Sequence, residues 1–406
     1  MREDWRLSSL EEVVKFIDYR GKTPLKTEYG MRLITAKNVK MGYLQNEPME
    51  FVDTKIYDEW MTRGIPKKGD VLFTTEAPLG NVAQLDTDEK VVFAQRIIVM
   101  QPKREALDST FLKYMLLSNL MQEKIHEKGT GATVKGIKSQ LLKKVQISFP
   151  RSLPEQKRIV GILDEAFEGI DRAIANAEKN LANSRELFES YLNAIFTQKD
   201  DGWEEKYLGD IAELIDSLHK TPSYIDEGGF PMVRVTDIKD GALNLKNARR
   251  VDKSTFVEFS KRHTPKIGDI VLSRVGSYGV PALVESDELF CLGQNTVFIL
   301  PQVNSQLVYF FLRSPNCQQQ IEKVVAGTTQ GTISLKSIKQ IRVPTPPISE
   351  QMSLALQISC VLRKTQSLET IYRQKIAALN ELKQSILQKA FTGELTADTA
   401  KEEIAA

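Results

Sequence analysis

Between Glu155 and Phe196 an apolar residue returns every four and then three positions, and the same rhythm starts again at Glu350 and runs to Phe391. In the first stretch the series is Ile159, Leu163, Ala166, Ile170, Ala173, Ala177, Leu181, Ser184, Phe188, Tyr191 and Ile195. In the second it is Leu354, Ile358, Val361, Thr365, Leu368, Tyr372, Leu379, Leu382 and Ile386, with Lys375 interrupting the seam. Such spacing keeps one stripe on one side of a helix. At 1.5 Å per residue each helix is about 60 Å long. A helix of that length with charge on its other faces can cover its stripe only against another helix, so the two stretches are expected to pair as a coiled coil, and the globular sequence between them lets them run antiparallel.

The helices are the most visible part of a repeat that spans the chain. Trp5, Leu10, Ile17, Asp18, Lys22, Thr23 and Pro24 return at a constant separation of 198 residues as Trp203, Leu208, Ile215, Asp216, Lys220, Thr221 and Pro222. Gly69-Asp70-Val71 returns as Gly268-Asp269-Ile270, Gly80 as Gly279, Gln95 as Gln294, Gly129-Thr130 as Gly327-Thr328, Lys138 as Lys336, Glu155-Gln156 as Glu350-Gln351 and Phe196-Thr197 as Phe391-Thr392. A period this long marks a tandem duplication. Short strands are expected at Val71–Phe73, Arg96–Met100 and Val145–Ile147 and at Ile270–Leu272, Thr296–Leu300 and Ile341–Val343, with helices over Phe111–Glu127 and Gln306–Val325. The fold class is α+β, a mixed domain followed by a long helix, twice. The divisions read as a first domain over 1–154, a long spacer helix over 155–200, a second domain over 201–349, and a second long spacer helix with a C-terminal tail over 350–406.

Bulk properties exclude several classes. A formal net charge of +2 supplies no strong overall attraction for nucleic acid, so any such binding has to come from local basic patches. Cys291, Cys317 and Cys360 are too few and too scattered for a disulfide framework or a cysteine zinc site and fit a reducing compartment. No apolar run approaches the ~20 residues that cross a bilayer, and the first residues carry no signal-like core, so no membrane partner and a cytoplasmic location are expected.

A duplicated enzyme should duplicate its catalytic residues. His126, His219 and His263 occupy unrelated positions in the repeat. Gly131 to Gly136 has the glycine spacing of a phosphate loop, but Ile137 stands where the lysine belongs. No catalytic residue, metal site or cofactor is assigned. What recurs instead is a set of glycine-punctuated loops carrying amides, hydroxyls and cations, groups that contact phosphate oxygens and base edges. In the first copy these are Lys22, Thr23, Lys37, Asn38, Gln95, Arg96, Thr130 and Lys138; in the second, Lys220, Thr221, Asp237, Arg274, Ser277, Tyr278, Gln294, Asn295, Thr328 and Lys336. The glycines repeat while neighbouring side chains differ: Asn38 faces Asp237, and Arg96 faces Asn295. One frame with unlike tips suits two domains that read two different sequences. Lys138 and Lys336, taken as matching, are assigned to phosphate; Arg274 and Asn295 are assigned to base edges.

These features together resemble the specificity subunit of a type I restriction-modification enzyme. The resemblance rests on the repeated Trp-x4-Leu and Lys-Thr-Pro openings, the Gly-Asp-Val/Ile segments, the Glu-Gln pairs opening each long helix, and the closing run Gln388 to Leu395. It implies that each globular unit is a target recognition domain and that the paired helices space them. It further implies double-stranded DNA with a bipartite, asymmetric target, two methyltransferase subunits that carry the chemistry, restriction subunits in the full complex, and no cofactor on this chain. Two other classes stay open on the residues alone: a coiled-coil scaffold binding proteins, and a stand-alone methyltransferase.

Overall fold

The computed structural model describes residues 4–19, 24–131, 133–198, 202–325 and 331–395. The chain divides into two compact units, residues 1–177 with 374–406, and residues 178–373. Each unit holds one globular domain, the start of the long helix that follows that domain, and the end of the other long helix.

The first unit is built on a four-stranded antiparallel sheet ordered Val14–Asp18, Ile97–Pro102, Val71–Thr75, Leu79–Gln84. A second sheet, Lys26–Thr27, Glu50–Val52, Met31–Ile34 and Val92–Phe93, ends on a parallel pair. The second unit repeats both, with Ala212–Asp216, Thr296–Pro301, Ile270–Ser273, Pro281–Leu283 in one sheet and Tyr224–Ile225, Arg249–Val251, Phe230–Val233, Cys291–Leu292 in the other. The strand that enters each long helix pairs with the strand that opens its domain, Trp5 opposite Pro150 and Glu204 opposite Thr345.

The expected strands form, with their ends shifted. Arg96 is outside its strand because its φ is 82°, and Gln146 and Arg342 begin the strands expected to start at Val145 and Ile341. Each expected domain helix is two helices, Ser109–Leu117 with Asn119–Glu127 and Ser305–Arg313 with Pro315–Val324. Pro315 signals the second break. The first has no proline: Ser118 adopts an extended backbone, accepts from Met121 N and donates its hydroxyl to Met115 O, so one side chain serves both helix ends.

The long helices are Leu153–Thr197 and Ile348–Thr392, 45 residues each. Within the first unit Lys383 Nζ lies 2.6 Å from Asp171 and 4.9 Å from the centre of the Phe167 ring. Within the second, Arg185 lies 3.1 Å from Glu369. As the first helix advances from 171 to 185 its partner recedes from 383 to 369, so the pairing is antiparallel with no slip in register. Every stripe residue of the first helix is buried or half-buried. In the second helix Leu368 and Leu382 are exposed instead, and Glu369, Tyr372, Ile376, Leu379 and Lys383 line the inner face. Lys375 therefore does not interrupt the seam. Ile376 is the seam residue, and Lys383 lies inside because its aliphatic stem packs while its ammonium reaches Asp171.

The repeated Glu-Gln and Phe-Thr pairs anchor the helices to the domains. Gln156 is fully buried; it accepts from Asp108 N and donates to the carbonyls of Ala106 and Pro150. Gln351 accepts from Asn304 N and donates to Pro346 O. At the opposite ends, Phe391 meets Phe111 edge-on at 5.2 Å in the first unit, and Phe196 meets Phe311 at 5.3 Å in the second. Each domain core is thus completed by the helix from the other repeat.

Truncating either phenylalanine removes a ring from a closed core. Phe391→Ala is expected to cost about 3–5 kcal/mol in the first unit, with Phe196→Ala doing the same in the second, read as loss of amide-exchange protection in that unit. Lys375→Ala should change stability by no more than about 0.5 kcal/mol, and Ile376→Ala should cost more, in a urea titration that also checks the seam.

Candidate nucleic-acid interface

In the first unit three segments converge at the end of the strand Val71–Thr75. Thr75 N donates to Arg96 O at 2.9 Å, and Ile137 N donates to Thr75 O at 2.9 Å. Thr130 and Gly136 exchange backbone hydrogen bonds at 2.8 and 2.9 Å, closing a small loop against Glu76. The Arg96 guanidinium lies 3.1 Å from Glu76, both half exposed. Thr75, Glu76, Thr130 and Lys138 line an open cleft of about 230 Å³.

The second unit builds the same junction. Arg274 N donates to Asn295 O at 2.8 Å, Ile333 N to Arg274 O at 3.0 Å, and Gly276 N to Gly331 O at 3.0 Å. Arg96 and Asn295 both occupy left-handed backbone, with φ of 82° and 68°. A non-glycine residue there is strained and persists because neighbouring bonds hold it. Behind each junction a buried hydroxyl organises the loop that follows the strand. Thr74 Oγ1 donates to Pro78 O at 2.7 Å and accepts from Asn81 N at 2.9 Å. Ser273 Oγ donates to Ser277 O at 2.5 Å and accepts from Val280 N at 2.9 Å. Sequence reading passed over this pair because one copy is threonine, the other serine, and neither stands beside a repeated cation.

The backing of these loops is also duplicated. Gln122 and Gln318 donate to the carbonyls of Gly80 and Gly279 at 2.9 Å. Gly80 has φ of 91°, a left-handed backbone that favours glycine.

The description of a type I restriction modification DNA specificity domain matches this chain twice, over residues 2–181 and 200–379. The chain belongs to that family. Among its relatives, the EcoBI type I restriction enzyme specificity subunit of Escherichia coli is 25% identical over 77% of this chain and 71% of its own length. The EcoKI specificity subunit of Escherichia coli strain K12 is 24% identical over 98% of this chain and 89% of its own. A solved structure bearing on complex assembly and conformational transition of the type I R-M system superposes with a TM-score of 0.78 at 18% identity, covering 97% of this chain and 99% of that one, which supports the fold.

Placed on this family frame, the residues singled out from sequence fall into three groups. Lys37, Arg96, Thr130, Lys138, Lys220, Thr221, Ser277, Gln294 and Lys336 are exposed, and Gln95, Tyr278 and Asn295 are half-buried. In the first unit Arg96, Thr130 and Lys138 are drawn to one junction; in the second Thr221, Gln294 and Asn295 share a cleft. Lys22, Thr23 and Thr328 lie outside the described residues.

The third group has internal work. Asn38 is 1% exposed; its Oδ1 accepts from Thr35 N and Oγ1 at 2.9 Å, and its Nδ2 donates to carbonyls of Gln45, Asn46 and Pro48. Asp237, 5% exposed, accepts from Arg234 N at 2.9 Å and pairs with the Arg234 guanidinium at 3.0 Å. These residues hold the same turn in both copies and are not polar tips. Arg274, assigned to a base edge, has its guanidinium 2.6 Å from Asp216 with only 13% of the side chain exposed, and it also donates to Ile333 O. Its charge is consumed inside the fold.

The pairing of Lys138 with Lys336 also changes. Ile137 and Ile333 make the same backbone bond, so Ser334 stands where Lys138 does, at the entry to the short helices Ser139–Lys143 and Leu335–Lys339. Lys138 thus stands at the cap of its short helix, whereas Lys336 lies inside the other one. Burial pushes the Cys291 thiol up to about 12 and that of Cys317 higher still, so neither is a nucleophile at neutral pH.

Asn38→Ala should destabilise the first unit by about 1–3 kcal/mol, because several buried backbone groups lose their partner, whereas Lys138→Ala should leave the thermal midpoint unchanged.

Proposed function

We propose that this chain is the DNA-recognition subunit of a type I restriction-modification complex, reading a bipartite, asymmetric target with one domain per half-site. Methylation and cleavage reside in partner chains, two methyltransferase subunits and the restriction subunits that join them, and this chain uses no cofactor of its own. The observation that carries the reading is the repeated junction at the strand end, where the same strained backbone position presents Arg96 in one domain and Asn295 in the other. An identical frame with a half-exposed arginine beside Glu76 in one copy and an amide in the other suits two readers of different base pairs. Family membership and the names of the relatives support the role in recognition.

Exposed cations beside these junctions serve the phosphate backbone, which positions the protein without specifying sequence. Lys138 and Lys336 are such groups. The paired helices space the two domains, so the gap between half-sites follows from helix length rather than base contacts.

Binding of the chain assembled with its methyltransferase subunits to duplex DNA across a salt series tests the reading. Affinity should fall steeply as salt rises, and Lys138→Ala or Lys336→Ala should each lower the slope of log K against log salt by about 1 while sequence preference is kept. Affinity for no DNA at any salt would leave a protein scaffold as the better account. Methyl transfer by the chain alone would make it an enzyme.

A further inference from the structure

The two domains differ in chemistry at an equivalent place on their second sheets. In the first, Lys26 stands opposite Val52, and its ammonium lies 2.8 Å from Glu50. In the second, Tyr224 stands opposite Val251 in the same register, and the Arg249 guanidinium lies 4.9 Å from the centre of the Tyr224 ring. An ion pair in one copy is a cation–π pair in the other.

The substitution changes what the surface offers. Glu50 cancels the Lys26 charge and repels phosphate. A tyrosine face attracts the guanidinium without consuming its N–H groups, so Arg249 keeps both its charge and its donor fork. The ring also limits where the guanidinium can lie, which reduces the ordering cost when it meets a planar acceptor. Arg249 and Tyr224 are both exposed, and Tyr224 lines an open cleft of about 250 Å³ that Thr221, Thr236, Gln294 and Asn295 also line. Tyr224 thus links a held arginine fork to a cleft that carries two carboxamides and two hydroxyls, and the best partner of such a fork is the O6 and N7 pair of guanine.

We propose that Arg249, held by Tyr224, is a specificity-determining residue of the second domain and reads a guanine in the second half-site. The Lys26–Glu50 pair denies the first domain that contact, which is one source of the target's asymmetry. This inference rests on the chain being a DNA reader.

The experiment uses the chain assembled with its methyltransferase subunits and a duplex library randomised in both half-sites, with bound sequences counted. Arg249→Ala and Arg249→Lys should each relax one G·C position of the second half-site by roughly 10–100-fold, since lysine keeps the charge but not the fork. Tyr224→Phe should retain the preference because the ring remains, Tyr224→Ala should lose part of it, and the first half-site should stay as in the parent protein. Equal weakening on all sequences by Arg249→Ala, restored by Arg249→Lys, would make Arg249 a phosphate contact and overturn the proposal. So would an unchanged second half-site. A parent complex that selects no bipartite sequence would instead overturn the DNA-reading function beneath it.

Discussion

Each globular domain depends on the long helix of the other repeat. Leu387, Ala390 and Phe391 belong to the core of the first unit, and their repeat equivalents Leu192 and Phe196 belong to that of the second. Without them Phe111 and Phe311 would each lose an aromatic neighbour and the cores would stand open, a loss large against the few kcal/mol by which domains are stable. Folding of either domain is therefore coupled to the antiparallel pairing of the long helices. The repeated Phe-Thr and Glu-Gln pairs follow from this arrangement: one phenylalanine plugs the far domain, and one glutamine satisfies backbone groups where the helix leaves its own domain.

That shared anchoring leaves the recognition loops at liberty to differ. Buried groups hold their frame in both copies, through the Thr74 or Ser273 hydroxyl, the Asn38 or Asp237 turn, and the glutamine behind Gly80 or Gly279. Buried polar groups must be satisfied, so these positions tolerate little. Positions nearer the surface carry less of that demand, and there the copies diverge in kind: arginine against asparagine at 96 and 295, an ion pair against a cation–π pair on the second sheet. The frame is common to the two copies, and the difference lies in the side chains it carries.

Several assignments made from residue type alone went astray for one reason. Asn38, Asp237 and Arg274 are polar residues in glycine-rich loops, as expected of contacts, but they face inward, and nothing local distinguishes an asparagine that satisfies a turn from one that meets a base. The matching of Lys138 with Lys336 failed because it carried a separation of 198 past the Gly-Thr pairs, whereas Ile137 and Ile333, which make the same backbone bond, stand 196 residues apart. In the second helix the 4-3 count took Leu368 and Leu382 for the seam, since leucine outranks glutamate and lysine on any apolar scale. A long aliphatic stem with an ion-pair partner can nevertheless fill an inner position, as Lys383 does with Asp171.

The amino-acid sequence by itself determined the tandem duplication, the long helices with their apolar seams and the mixed α+β domains, because these follow from periodicities and repeats that run along the chain. Only the tertiary structure decided which polar side chains are occupied within the fold and which stand on the surface. It also decided that each core is closed from the far end of the other repeat, and that Tyr224 lies beneath Arg249 where Lys26 meets Glu50. Those facts concern residues brought together across strands or across most of the chain. Their meeting is set by side-chain packing and hydrogen-bond satisfaction in three dimensions, which leave no period in the sequence.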